Sequence, residues 1–125
     1  MKKDNIVKQK SFLFAIRIVK VCRFIQTELK DFVLSKQLLR SGTSVGAMVR
    51  ESEHSESKAD FIHKLSIAQK EANETLYWLE LLRDSEMLEN KYFESIYPEA
   101  QEIIKLITAI IKTTKTNLKL TINHL

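Results

Sequence analysis

Phe61, Leu65, Ala68, Ala72, Thr75, Leu79 and Leu82 follow one another at steps of four and three residues. That spacing is one face of a helix. A strand, whose side chains alternate with period two, cannot gather these residues on one side. Ile62, Leu76, Tyr77, Trp78 and Leu81 add a second apolar stripe, and aromatics at helical spacing in such a stripe read as core. The chain of 125 residues has only two glycines and one proline. Tight turns use Gly and Pro, so their scarcity favours a few long helices joined by short links.

Four helices are expected, over about residues 5–29, 35–53, 57–86 and 91–118 of a single domain spanning 1–125. In the first, Phe14, Ile18, Val21, Ile25 and Leu29 form one face, which Val19 and Phe24 widen. Ser35 is the expected N-cap of the second. Its middle, Ser41-Gly42-Thr43-Ser44-Val45-Gly46-Ala47, is nearly all small. Glycine inside a helix costs roughly 1 kcal/mol relative to alanine, so a neighbouring backbone is expected very close by. A break near Gly42 is the alternative. Ser57 through Asp60 approximates a capping box for the third helix. Asn90 is the expected cap of the fourth, where Pro98 should break or kink the first turns. Ile103, Ile104, Leu106, Ile107, Ile110 and Ile111 give that helix a face wider than one core needs, as an intersubunit contact would use. Short links make neighbours antiparallel, an all-α up-down-up-down four-helix bundle.

The net charge of +4 is unevenly spread. Residues 1–30 carry +6, residues 31–102 carry −6 and residues 103–125 carry +4. The first and last helices are adjacent in such a bundle, so their positive charges are expected on one side, with the acids of helices two and three opposite. A one-sided basic face is the footprint of a phosphate-backbone binder. Arg17, Lys20, Arg23, Lys105, Lys112, Lys115 and Lys119 are its candidate residues. Basic and acidic faces on one molecule can also pair head to tail, and such contacts close into rings when the rotation permits. Cys22, the single cysteine, excludes an internal disulfide and reads as a buried, inert thiol. The N-terminal residues lead into no apolar run of the secretory kind, and no stretch reaches the roughly 18 apolar residues a membrane span needs. A cytoplasmic protein without cofactor is expected.

Catalytic constellations are sparse. Glu51-Ser52-Glu53-His54 holds one Glu-x-x-His, but a di-iron bundle needs the motif twice, so no metal site is assigned. Cys22 has no nearby histidine, and no phosphate-binding or nucleophile-elbow motif is present. Glu71 and Glu74 lie three apart, and Glu51 could approach them. Carboxylates so placed do acid–base work when burial splits their pKa values. The structural reading pairs them with Arg40 or Arg50.

Residues 37–47, Gln-Leu-Leu-Arg-Ser-Gly-Thr-Ser-Val-Gly-Ala, followed by Glu51, and residues 61–79, Phe-Ile-His-Lys-Leu-Ser-Ile-Ala-Gln-Lys-Glu-Ala-Asn-Glu-Thr-Leu-Tyr-Trp-Leu, together resemble a known family. It is the four-helix bundle family named for proteins encoded in 23S rRNA intervening sequences, which borders on the accessory variability proteins of diversity-generating retroelements. The resemblance covers the second and third helices closely and the others by pattern. It implies a bundle assembling into a ring, typically a pentamer, and contact with RNA or DNA or with a partner protein. It carries over no catalytic residues. Arg40, Ser44, Glu51, Glu71, Glu74 and Trp78 match its signatures, where a role in fold or assembly is implied. Met48 departs from the pattern, because relatives commonly carry Asn there.

The expectation is therefore a non-catalytic homo-oligomeric bundle that holds nucleic acid through its first and last helices. The alternative is a protein–protein scaffold without nucleic-acid binding.

Overall fold

Side chains satisfy orphan backbone groups at the starts of the second and third helices. In a computed structural model describing residues 3–124, α1 spans Lys3–Glu28, α2 Val33–Ser52, α3 Lys58–Asp84 and α4 Asn90–Asn123. Met1, Lys2 and Leu125 of the expected 1–125 domain lie outside the described residues. Among the described residues there is no strand.

The cap of α2 is not Ser35 but Asp31, whose Oδ1 accepts from the N–H groups of Leu34 at 2.9 Å and Ser35 at 3.4 Å. Ser35 is buried inside the helix, where it donates to the Asp31 carbonyl and accepts from Gln26. Ser57 caps α3 as expected, accepting from the Asp60 N–H at 3.0 Å. The Asp60 carboxylate reaches back to the N–H of Glu56 at 3.2 Å. Asn90 is the first residue of α4 rather than its cap, and its amide donates to Glu94. Pro98 sits inside α4 without ending it, and the helix continues past the expected 118 to Asn123.

The two glycines take no part in the links. Lys30 and Glu86 adopt the left-handed conformation, with φ of 57° and 63°, that stops α1 and α3. Gly42 and Gly46 lie within an unbroken α2. A Cβ at Gly46 would stand 3.1 Å from the backbone oxygen of Ser11 on α1, so the two backbones do approach closely. At Gly42 a Cβ would meet the branched Ile18 side chain at 2.8 Å.

Helices adjacent in sequence pack together and α1 closes on α4, while the diagonal pairs do not meet. The core combines Phe14, Ile18, Cys22 and Ile25 with Leu38, Val45, Leu65, Leu79, Leu82, Ile96, Ile103 and Ile107. Of the α3 seam, only Phe61 is less than fully buried. Inside the core, the Thr75 hydroxyl donates to Ser41 Oγ at 3.0 Å. Met48 packs half-buried against the core with a side chain that needs no polar partner.

Three apolar expectations are corrected. Leu29, expected in the α1 core face, and Phe24, expected to widen it, both face solvent. Tyr77 is exposed, with its edge against Trp78. On α4, Ile103, Ile107, Ile110 and Ile111 are absorbed by the bundle's own core. Exposed apolar side chains gather on α1, at Phe12, Leu13, Ile16 and Phe24, with others at Phe32 and Val33 before and at the start of α2 and at Leu120 and Ile122 near the end of α4.

Candidate nucleic-acid interface

The expected basic face depends on how α1 and α4 lie against each other. They are antiparallel neighbours. Arg17 pairs with Glu99 and donates to the Ser95 carbonyl and hydroxyl, and Lys10 pairs with Glu102 at 2.8 Å. The flank shared by the two helices is thus laced by neutral ion pairs, and Arg17 is committed to one of them. Lys20 and Arg23 are exposed toward the C-terminal end of α1. Antiparallel packing puts Lys112, Lys115 and Lys119 at the opposite end of the bundle. From the level of Glu99 to Lys119 is 20 residues of α4, roughly 30 Å at 1.5 Å per residue. The seven candidate cations therefore do not form one face.

What the structure brings together is the α4 set. Lys105, Lys112 and Lys119 are seven residues apart, nearly two helical turns, so they stand in one row on the solvent side, with Lys115 beside it. The row is about 21 Å long. No acid follows Glu102 in the chain. None of these four lysines has an ion-pair partner among the described residues, whereas Lys8, Lys10 and Arg17 of α1 all do. Thr113, Thr116, Asn117 and Thr121 fill the exposed surface between and around them.

The carboxylates on α3 are held by arginine, as the structural reading requires. Arg40 reaches across from α2 to Glu71 at 3.0 Å and to Glu74. Glu74 also accepts from Trp78 Nε1 at 3.0 Å. Ser44 donates to the Arg40 carbonyl within α2. Arg40, Glu71 and Glu74 thus tie α2 to α3, while Ser44 and Trp78 bond within their own helices. Glu51 is exposed and does not join them. With Ser41 opposite Thr75 in the antiparallel pair, Glu71 stands level with Val45, and Glu51 lies about six residues, roughly 9 Å, farther along. Arg50 is also elsewhere, with its guanidinium 5.3 Å from the Phe12 ring.

At the end where α2 passes into α3, a groove of about 590 Å³ has Val7, Val49, Phe61, Leu65 and Ile110 as its floor. On its polar rim Lys8 pairs with Glu53, Ser55 donates to the Ser52 carbonyl and Ser57 caps α3, and Asp4, Asn5 and Lys58 complete the lining. Among the described residues no three His, Cys, Asp or Glu converge to hold a metal ion. No helix is long and apolar enough to cross a membrane.

Cys22 is buried, and its Sγ lies 3.3 Å from the Ser35 carbonyl. Burial pushes its pKa up to about 12 from an ordinary 9.0. A native thiol held protonated cannot supply the thiolate that attacks disulfide reagents. Native protein should therefore react with such a reagent only as fast as it unfolds, monitored by thiol release at pH 7–9. Because the folded pKa is the higher one, the unfolded chain alone ionises as pH rises past about 9. Urea titrations should show stability falling through pH 9–12, with the slope reduced in Cys22→Ala.

These observations define a class of small helical bundle in which Arg40, Glu71 and Glu74 join one helix to the next. The chain belongs to the 23S rRNA-intervening sequence protein family, whose model matches residues 3–109. It is similar to a crystal structure of a protein of unknown function from the S23 ribosomal protein family of Bacteroides thetaiotaomicron. The two are 57% identical, with a TM-score of 0.87, over 89% of this chain and 99% of that one. No curated protein matches the chain. Lys112, Lys115 and Lys119 follow the stretch that the family model matches.

Proposed function

We propose that the protein is a non-catalytic, homo-oligomeric module that holds RNA or DNA by its phosphate backbone through the α4 row of Lys105, Lys112, Lys115 and Lys119. The carrying observation is an acid-free, exposed row about 21 Å long whose four cations are unpaired among the described residues. Lysine recognises phosphate as a point charge, without base readout, so binding is insensitive to sequence and sensitive to salt. The cytoplasm is where such a ligand is met. The ring, and a pentamer in particular, remains what family membership suggests for the assembly. The exposed apolar row on α1 supports self-association.

Four phosphate contacts give a slope of log K against log salt near −3.6. Fluorescence anisotropy with a labelled RNA duplex and a DNA duplex should show affinity falling about 100-fold per site between 50 and 200 mM salt. In Lys112→Ala/Lys115→Ala/Lys119→Ala the slope should flatten by about 2.7. Absence of binding at 50 mM salt, or an unchanged slope in the triple variant, refutes the reading. An intact oligomer that binds neither duplex would leave the scaffold.

A further inference from the structure

The exposed apolar residues of α1 have a counterpart on the opposite corner of the same bundle. Along the outward face of α1 run Phe12, Ile16, Lys20 and Arg23, with Leu13 and Phe24 on its flank toward α4. Along the outward face of α3 run Tyr77, Leu81 and Asp84, with Glu80 and Glu86 beside them. Both helices are antiparallel to α4, so they point the same way.

Their heights can be compared through α4. Arg17 of α1 bonds at Ser95 and Glu99, and Glu80 of α3 accepts from Tyr97 between them. Lys10 meets Glu102, and Gln69 meets Thr108. Phe12 therefore lies at about the level of Tyr77, Ile16 at that of Leu81, and Lys20 at that of Asp84 and Ser85. Arg23 falls level with the link that begins at Glu86.

The charges match in the same order. Lys20 and Arg23 have no ion-pair partner among the described residues, and Arg17 beside them is neutralised by Glu99. On the α3 side Arg83 pairs with Asp84 at 2.8 Å, which leaves Glu80 and Glu86 without a cation among the described residues and the patch net negative. Aromatic and aliphatic groups meet at one height, and opposite charges meet one to two turns farther along.

We infer that the α1 outward face of one copy seats side by side, in parallel, on the α3 outward face of the next. The occupant of the α1 face is thus a second copy of this chain. This rests on the homo-oligomeric half of the proposed function and names its contact. The two faces belong to different helices, so the contact is heterologous and repeats from copy to copy. It covers Lys20 and Arg23 and leaves the α4 lysine row open. The two cation sets then have separate duties.

Light scattering and sedimentation velocity on the full chain test this. The wild type should run as a multiple of its 14.6 kDa mass. Lys20→Glu/Arg23→Glu and Asp84→Lys/Glu86→Lys should each shift the mass to the monomer, while circular dichroism keeps the helix signal. The chain carrying all four reversals should recover the assembly. Phe12→Ser/Ile16→Ser, which changes no charge, should also yield monomer. Lys112→Ala/Lys115→Ala/Lys119→Ala should keep the wild-type mass. An oligomer unmoved by both charge pairs, or not recovered by the fourfold reversal, overturns this contact and leaves self-association standing. A wild-type monomer overturns both.

Discussion

Leu79→Ala should lower the stability of the bundle by about 2–5 kcal/mol, and its melting temperature by roughly 10–20 °C. Leu79 is 0% exposed and stands in the α3 seam among Ala72, Thr75 and Leu82. Removing its isobutyl group loses the transfer free energy of the buried atoms. It also leaves a void that rigid neighbours cannot fill, because helix backbones on every side fix the surrounding side chains. The matched control is Leu120→Ala. Leu120 is 52% exposed near the end of α4, so its truncation should fall within about 0.5 kcal/mol of wild type. Chemical denaturation of the two variants separates a packed seam from a solvated arm. Equal losses would mean that α4 is packed to its tip in solution, and no loss at Leu79 would mean that the seam does not face the core.

The seam was legible because burial on one face of a long helix imposes a period that nothing else in the chain imitates. Helix number, order and antiparallel packing followed from it and from the shortage of turn residues. The solvated side of each helix obeys no such rule. Phe24 and Tyr77 fit an apolar stripe as well as any core residue does, and only the rotation of α1 and α3 about their own axes turns them outward. The ends of α2 and α4 were misplaced for a local reason. Serine and asparagine cap a helix from the residue before it begins; Asp31 already serves the amides of Leu34 and Ser35, and at α4 the extended residue is Glu89, one before Asn90.

The charge layout failed on direction rather than on adjacency. Neighbouring α1 and α4 do lie side by side, as up-down topology requires. Antiparallel neighbours, however, carry their C-terminal halves to opposite ends, and both candidate clusters sit in the C-terminal halves of their helices. Glu99 and Glu102, counted in sequence with the acidic middle of the chain, are the groups that neutralise the α1 flank. Composition by segment cannot show this, because it sums charges that the fold distributes over different faces. The surviving α4 row was readable from a spacing of seven between Lys105, Lys112 and Lys119. The apolar row on α1 had its signal in Phe12-Leu13-Phe14, three consecutive large apolar residues that sweep about 200° around the helix, more than its core-facing side spans; Phe14 is the one buried.

Gly42→Val should destabilise the bundle by about 3 kcal/mol, at the upper end of the usual range for overpacking. A Cβ at this position would come within 2.8 Å of both Ile18 Cγ1 and Cγ2, and within 3.2 Å of Cδ1. Ile18 is fully buried and branched at Cβ, so in a helix it has one strongly preferred χ1 and no free direction in which to turn. Helix propensity works in the opposite sense, since any ordinary residue is a better helix former than glycine, alanine by about 1 kcal/mol. The balance therefore measures how tightly α1 and α2 are pressed together. Truncating the obstacle should reverse part of the loss: Gly42→Val/Ile18→Ala should be less destabilised than the sum of its single changes, with a coupling of about 1–3 kcal/mol. The same rescue has no equivalent at Gly46, where the first obstacle is the Ser11 backbone oxygen at 3.1 Å and no side-chain deletion can remove it. If Gly42→Ala instead raises stability by about 1 kcal/mol, propensity has won, and α2 does not need a glycine there to admit Ile18.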